Sequence, residues 1–120
     1  MMAEVREKMP FININTNVSV SKEQEVAVKT RLGKAIELIP GKSESWLMVG
    51  FEGEHPLYFR GSDSERIAFV EVSVYGRVSK QAADRLTAAI TDILEQELAI
   101  QQSYVKYEEA EIWGWNGSNF

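Results

Sequence analysis

Ile67-Ala68-Phe69-Val70-Glu71-Val72-Ser73-Val74-Tyr75, followed at once by Gly76-Arg77-Val78-Ser79-Lys80, is the stretch that decides the fold. Its first part alternates. Ala68, Val70, Val72 and Val74 share one side, and Ile67, Phe69, Glu71, Ser73 and Tyr75 share the other, which is the period of a β-strand. Ser79 then caps a helix whose apolar stripe is Ala83, Leu86, Ala89, Ile90, Ile93, Leu94 and Leu98. The tripeptide Val78-Ser79-Lys80 has a twin 58 residues earlier, Val20-Ser21-Lys22, which also follows an extended run and opens a helix. The chain therefore reads as one strand-helix-strand unit written twice.

In the first copy the strand is Pro10-Phe11-Ile12-Asn13-Ile14-Asn15-Thr16-Asn17-Val18. Ser21 with Gln24 three residues on is a capping box, Val28, Leu32, Ala35, Ile36 and Ile39 recur at helical spacing, and Pro40-Gly41 ends the run. The spacing predicts a single helix of about 18 residues. Trp46 to Phe51 reads as a strand covered on both faces, because it is almost continuously apolar. Leu57-Tyr58-Phe59 is a short extended piece between turns. In the second copy the last full strand is Tyr104-Val105-Lys106-Tyr107, with a short terminal strand over Glu111-Ile112-Trp113-Gly114-Trp115.

Two βαβ units with right-handed crossovers give an α+β fold: a four-stranded sheet carrying two helices on one face. The other face is left for a second subunit to bury, so we expect an oligomer whose sheets pack around a common axis. The two short extended pieces are candidates for pairing with a neighbour's sheet edge.

Composition bounds the function. At 120 residues the chain is one domain, 44% apolar and 26% charged, the balance of an ordinary soluble protein. Thirteen basic against 18 acidic residues give a net charge of −5, with no basic stripe of the kind that binds nucleic acid and no run long enough for a membrane span. An anionic substrate would need local cations, for which Lys42 and Lys106 are the candidates. The absence of cysteine excludes disulfide and thiolate chemistry and fits a reducing, cytoplasmic compartment.

The residue that could carry chemistry is Pro10. Inside a chain its nitrogen belongs to an amide and is not basic. At an amino terminus it is a secondary amine; such groups titrate near pH 7.7–8.0 in water, and burial or a neighbouring cation moves them lower, toward the working range of a general base. Residues 1–9 stand in the way. Of these, Met1 to Lys8 resemble neither a signal peptide nor a strand. We read all nine as an upstream extension absent from the mature protein, with translation from Met9 and removal of the initiator, and residues 10–120 as a single domain. Arg6-Glu7-Lys8 supports that start, since it can be encoded wholly in purines, as a ribosome-binding site would be.

Other signals are weak. His55, the single histidine, lies in a polar turn beside Pro56; Glu108, Glu109 and Glu111 read as a solvent face rather than a metal site. Trp113, Trp115 and Phe120 make the tail unusually aromatic. Packing between subunits explains Trp115, while for Trp113 and Phe120 such packing and pocket lining both stay open.

Taken together, Met9 to Val18, Pro40-Gly41-Lys42, Val74-Tyr75-Gly76 and Trp113-Gly114-Trp115-Asn116-Gly117-Ser118-Asn119-Phe120 resemble the tautomerase superfamily, in its macrophage migration inhibitory factor and D-dopachrome tautomerase branch. The resemblance implies a ferredoxin-like pseudo-symmetric subunit, a homotrimer, and three interfacial sites that use no metal or cofactor. It implies that Pro10 is the base of a keto-enol tautomerase acting on small aromatic α-keto acids of the phenylpyruvate type. Lys42 would hold the substrate carboxylate, helped by the backbone N–H of Tyr75. Tyr104 from the adjacent subunit would flank the ring and polarise the keto oxygen; Trp113 and Phe120 would wall the pocket and Trp46 would close its mouth. Lys106 departs from the asparagine of the animal proteins, and facing the substrate or facing solvent both stay open for it. Trp113 is bulkier than the usual valine. The alternative is a cytokine-like, host-directed protein, released without a signal peptide, whose partner is a protein receptor and whose tautomerase activity is vestigial.

Overall fold

The computed structural model describes residues 9–119. Strand β1 (Pro10–Thr16) leads into helix α1 (Lys22–Ala35), two short 3₁₀ turns (Ile36–Leu38 and Glu44–Trp46) and strand β2 (Met48–Glu52). Strand β3 (Ile67–Tyr75), helix α2 (Lys80–Leu98) and strand β4 (Gln102–Ala110) repeat the pattern, and a small hairpin of β5 (Gly114–Trp115) and β6 (Ser118–Asn119) follows. The sheet order is β2-β1-β3-β4. β1 is parallel to β2 and β3 to β4, while the two halves join through antiparallel β1 and β3. The helices start at Lys22 and Lys80, matching the spacing of the two Val-Ser-Lys tripeptides.

The helix-side face of the sheet builds the core. Ile12 and Ile14 of β1 and Val70, Val72 and Val74 of β3 are fully buried against Val28, Leu32 and Ile36 from the first helical segment and Leu86, Ile90, Leu94 and Leu98 from α2. Both helices begin on their serines: Ser21 accepts the Gln24 N–H while Gln24 reaches back to Ser21, and Ser79 accepts the Ala82 N–H. Arg66 closes the far end of α2 by donating two guanidinium N–H groups to the Leu98 carbonyl at 3.0 and 2.8 Å. Among the described residues no helix is long and apolar enough to cross a membrane.

Three expectations need correction. The first helix does not run unbroken to Ile39: regular α-helix stops at Ala35 and the last turn tightens to 3₁₀ before Pro40, as helix ends commonly do. Trp46 belongs to a 3₁₀ turn, and β2 starts two residues later as an edge strand with Met48 68% exposed. Its apolar run is not covered on both faces, because both helices lie on one side of the sheet. At the end of the chain, Gly114–Trp115 pairs antiparallel with Ser118–Asn119 of the same chain, around Asn116-Gly117, both in the left-handed region (φ +47° and +92°), the geometry of a tight hairpin turn. The expected neighbour's edge is not needed to pair it.

The open face is polar in its middle. Asn13 donates to Glu52 at 2.8 Å, and Lys106 bridges Glu71 at 3.2 Å and Glu108 at 2.9 Å. Apolar Phe11, Met48, Phe69 and Tyr104 surround these pairs by register.

On the helix side, the Tyr107 hydroxyl donates to the Ala83 carbonyl at 2.9 Å and shares a 2.8 Å hydrogen bond with Thr87. Burial raises its pKa above the ordinary tyrosine value, since the phenolate would be poorly solvated there. Tyr107→Phe is expected to lower the unfolding free energy by about 1 kcal/mol in urea titration. The neutral phenol is the form the fold prefers, so in the parent chain this contribution is complete below pH ~10 and is lost as the pH rises through the folded-state value. A Tyr107→Phe chain should lack that alkaline loss.

Candidate active site

The Pro10 end of the sheet gathers the residues whose types suggested chemistry. Pro10 opens β1, is buried, and sits opposite Val74 in the antiparallel ladder. One residue beyond Val74, Tyr75 ends β3, and the chain turns away at Gly76 (φ +86°). In an antiparallel ladder, hydrogen-bonded and non-bonded pairs alternate. The bond that follows the Pro10–Val74 pair runs from the Tyr75 N–H to the Met9 carbonyl at 3.2 Å.

Lys42 reaches the same place by a different route. Ile39-Pro40-Gly41-Lys42 forms a turn closed by the Lys42 N–H on the Ile39 carbonyl at 3.1 Å, with Gly41 at φ +84°. A type II turn requires a positive φ at the third position and suits proline at the second, so Pro40-Gly41 ends the helical segment and also aims Lys42. The side chain folds back into the protein, leaving Lys42 only 7% exposed, and its Nζ donates to the Tyr75 carbonyl at 3.3 Å. An ammonium group rarely tolerates such burial without partners. Tyr75 is thus contacted on both backbone groups, its carbonyl by Lys42 and its N–H by Met9.

Other expected site residues lie elsewhere. Tyr104 is on the open face, 63% exposed, edge-on to Phe59 with ring centroids 5.9 Å apart. Through the register it aligns with Phe69 and then with Asn15, five positions along β1 from Pro10, or about 17 Å of strand. It lines a mostly apolar groove of about 200 Å³ with Leu57, Tyr58 and Phe69, away from the Pro10 end. One chain does not bring Tyr104 to Pro10, so a site using both must draw Tyr104 from a second copy. Lys106 aligns with Glu71 and Asn13 and is held by its two glutamates. Trp46 is half-buried and meets Trp115 edge-on at 5.2 Å; Trp113 is half-buried where the chain passes from β4 to the hairpin. Phe120 lies outside the described residues.

Two neighbours escaped the sequence reading, and a third residue packs differently from its expectation. Met9 is 4% exposed and takes part in the ladder. Arg77 lines a cleft with Tyr75, Glu109 and Glu111, bringing a second cation to the end of β3; its position two residues past the strand was the available signal. Trp115, read as a packing residue between subunits, packs on Trp46 within its own chain.

A doubled βαβ subunit whose first strand opens on a proline beside a buried lysine defines a protein of the tautomerase superfamily. The chain belongs to the macrophage migration inhibitory factor family, whose sequence model matches residues 9–120. The structure is similar to a second macrophage migration inhibitory factor of Leishmania major, with TM-score 0.88 and 28% identity over 94% of this chain and 98% of that one. It is also similar to a homologue from Prochlorococcus marinus, with TM-score 0.81 and 28% identity over 92% and 98%. The Toxoplasma gondii protein, 22% identical with TM-score 0.84 over 92% and 99%, shares the fold. No curated protein matches the chain at a significant level.

The Lys106 cluster gives a direct electrostatic test. Hydrogen bonds donated by the Lys106 ammonium to Glu108 and then to Glu71 favour the charged form and hold its pKa above the ordinary lysine value. Its charge therefore persists through neutral pH, and the pairing is lost only as the pH rises through that raised value. Side-chain NMR titration should show Lys106 deprotonating above the ordinary lysine value, and Glu71→Gln with Glu108→Gln should bring it down.

Proposed function

We propose that this protein is a keto-enol tautomerase of aromatic α-keto acids, working as a homotrimer with Pro10, freed of the residues before it, as general base. The observation that carries the reading is the meeting of Pro10, Lys42 and Tyr75 at one end of the β1–β3 ladder. A secondary amine at this buried position has its pKa lowered by desolvation, and a lysine ammonium nearby lowers it further, so a useful fraction is unprotonated near neutrality. Lys42 takes the substrate carboxylate. The Pro10 nitrogen then accepts a proton from the carbon next to the keto group, the C–H electron pair forms the C=C bond as the C=O π pair moves onto oxygen, and that oxygen takes a proton from water to give the enol. The reverse path returns the proton held on Pro10 to carbon. A base so tuned contributes roughly 10²–10⁴ in rate.

Trimer formation is supported by the separation of Tyr104 from Pro10 within one chain and by a sheet face that the helices leave uncovered. Tyr104 then flanks the substrate ring from the neighbouring subunit, while Trp46 and Trp113, with Phe120, supply the aromatic wall. The bulk of Trp113 favours compact rings over extended ones.

The test is phenylpyruvate ketonisation followed by loss of enol absorbance, using a chain that starts at Pro10 as verified by mass spectrometry. Pro10→Ala is expected to lower kcat/KM by about 10² with a smaller change in KM, and the parent profile should fall on acidification below about pH 7 as the amine protonates. Unchanged turnover in Pro10→Ala overturns the base assignment. An inactive processed chain would favour a binding role in place of catalysis.

A further inference from the structure

We infer that Met9 also blocks the carboxylate site directly: its carbonyl oxygen occupies the backbone donor, the Tyr75 N–H, that an incoming carboxylate would use. The inference rests on the proposed carboxylate site. It starts from strand register. Pro10 faces Val74, so the next hydrogen-bonded position pairs residue 9 with Tyr75, and the Met9 carbonyl accepts the Tyr75 N–H at 3.2 Å. That oxygen is an sp² acceptor lying at the Tyr75 backbone, whose carbonyl holds the Lys42 ammonium at 3.3 Å. It stands where one oxygen of a carboxylate would stand, and Met9 is well enough packed, at 4% exposed, to keep it there.

The consequence is a coupling between two properties that are usually separate. Hydrolysis of the Met9–Pro10 amide adds water across the C–N bond. Met9 departs with the new carboxyl group and Pro10 keeps the nitrogen as a secondary amine. The same cut leaves the Tyr75 N–H without its ladder acceptor, beside the new amine. A buried or half-buried donor left unmatched favours any ligand that supplies an oxygen. Removal of residue 9 therefore creates the base and the binding donor together, and a chain that retains it is deficient in binding as well as in proton transfer.

The experiment measures binding without turnover, using 3-phenylpropionate, an aromatic carboxylate with no keto group. Three chains are compared by ¹⁵N-resolved NMR: the full chain, a chain beginning at Pro10, and a chain beginning at residue 9 with Met9→Gly, which keeps the carbonyl but discards the methionine side chain and everything before it. The hydrophobic cluster runs from Ile12 to Ile100, so all three retain it. The Pro10 chain should bind at least tenfold more tightly than the other two, with the Tyr75 amide shifting on titration. In the full and Met9→Gly chains that amide should stay protected from hydrogen exchange and unresponsive. Equal affinity across the three, tight binding by the Met9→Gly chain, or no binding by the Pro10 chain overturns the inference. A phenylpyruvate assay on the same samples separates the two readings. Turnover by the Pro10 chain with equal binding in all three sinks the inference alone, and selective binding without turnover sinks the proposed function alone.

Discussion

The antiparallel register of β1 against β3 is the constraint from which the rest of the site follows. It places Pro10 opposite Val74 and brings residue 9 into hydrogen bonding with Tyr75. A slip by one residue would turn Ile12 and Ile14 from the core to the open face, so burial of those side chains against both helices fixes the position of the proline. The chemistry proposed for Pro10 therefore depends on hydrophobic packing in the middle of the strand. Fold stability and site geometry are determined by the same residues.

Lys42 is positioned by an independent device. A Pro-Gly turn after the first helical segment directs it inward, and the Tyr75 carbonyl receives it. The cation comes from a loop and the nitrogen it would influence from the first residue of β1, and the two converge on one end of the sheet. This contrasts with Lys106, whose charge is balanced on the open face by Glu71 and Glu108. Both residues are lysines in an acidic chain, but one is buried beside backbone acceptors and the other is solvated between carboxylates.

Much of this was legible in the sequence because local and long-range signals agreed. The alternation of Ile67 to Tyr75 gives β3 with its observed limits, and Ser21 and Ser79 cap the helices as their spacing implies. The duplicated Val-Ser-Lys signalled the two halves. What the sequence obscured was set by tertiary surroundings. The apolar run around Trp46 to Phe51 gave no sign that its first residue would belong to a 3₁₀ turn or that β2 would be an edge, because hydrophobicity does not say which neighbour covers a strand. The tail hairpin was hidden because two-residue strands carry no period, although Asn116-Gly117 was a turn signal in plain view. Tyr104 and Pro10 belong to distant rows of one sheet, a separation visible only once the register was known. Met9 reads in the sequence as an initiator to be removed, which gives no sign of its place in the ladder.

The doubling of the subunit has a topological corollary. The segment equivalent to the start of β1 in the second half lies near Ala68, at the start of β3, in the interior of the polypeptide. Side chains can be duplicated with a gene segment; a chain end cannot. A base that needs a free chain end, as proposed for Pro10, is therefore issued once per pair of βαβ units, however symmetric the scaffold.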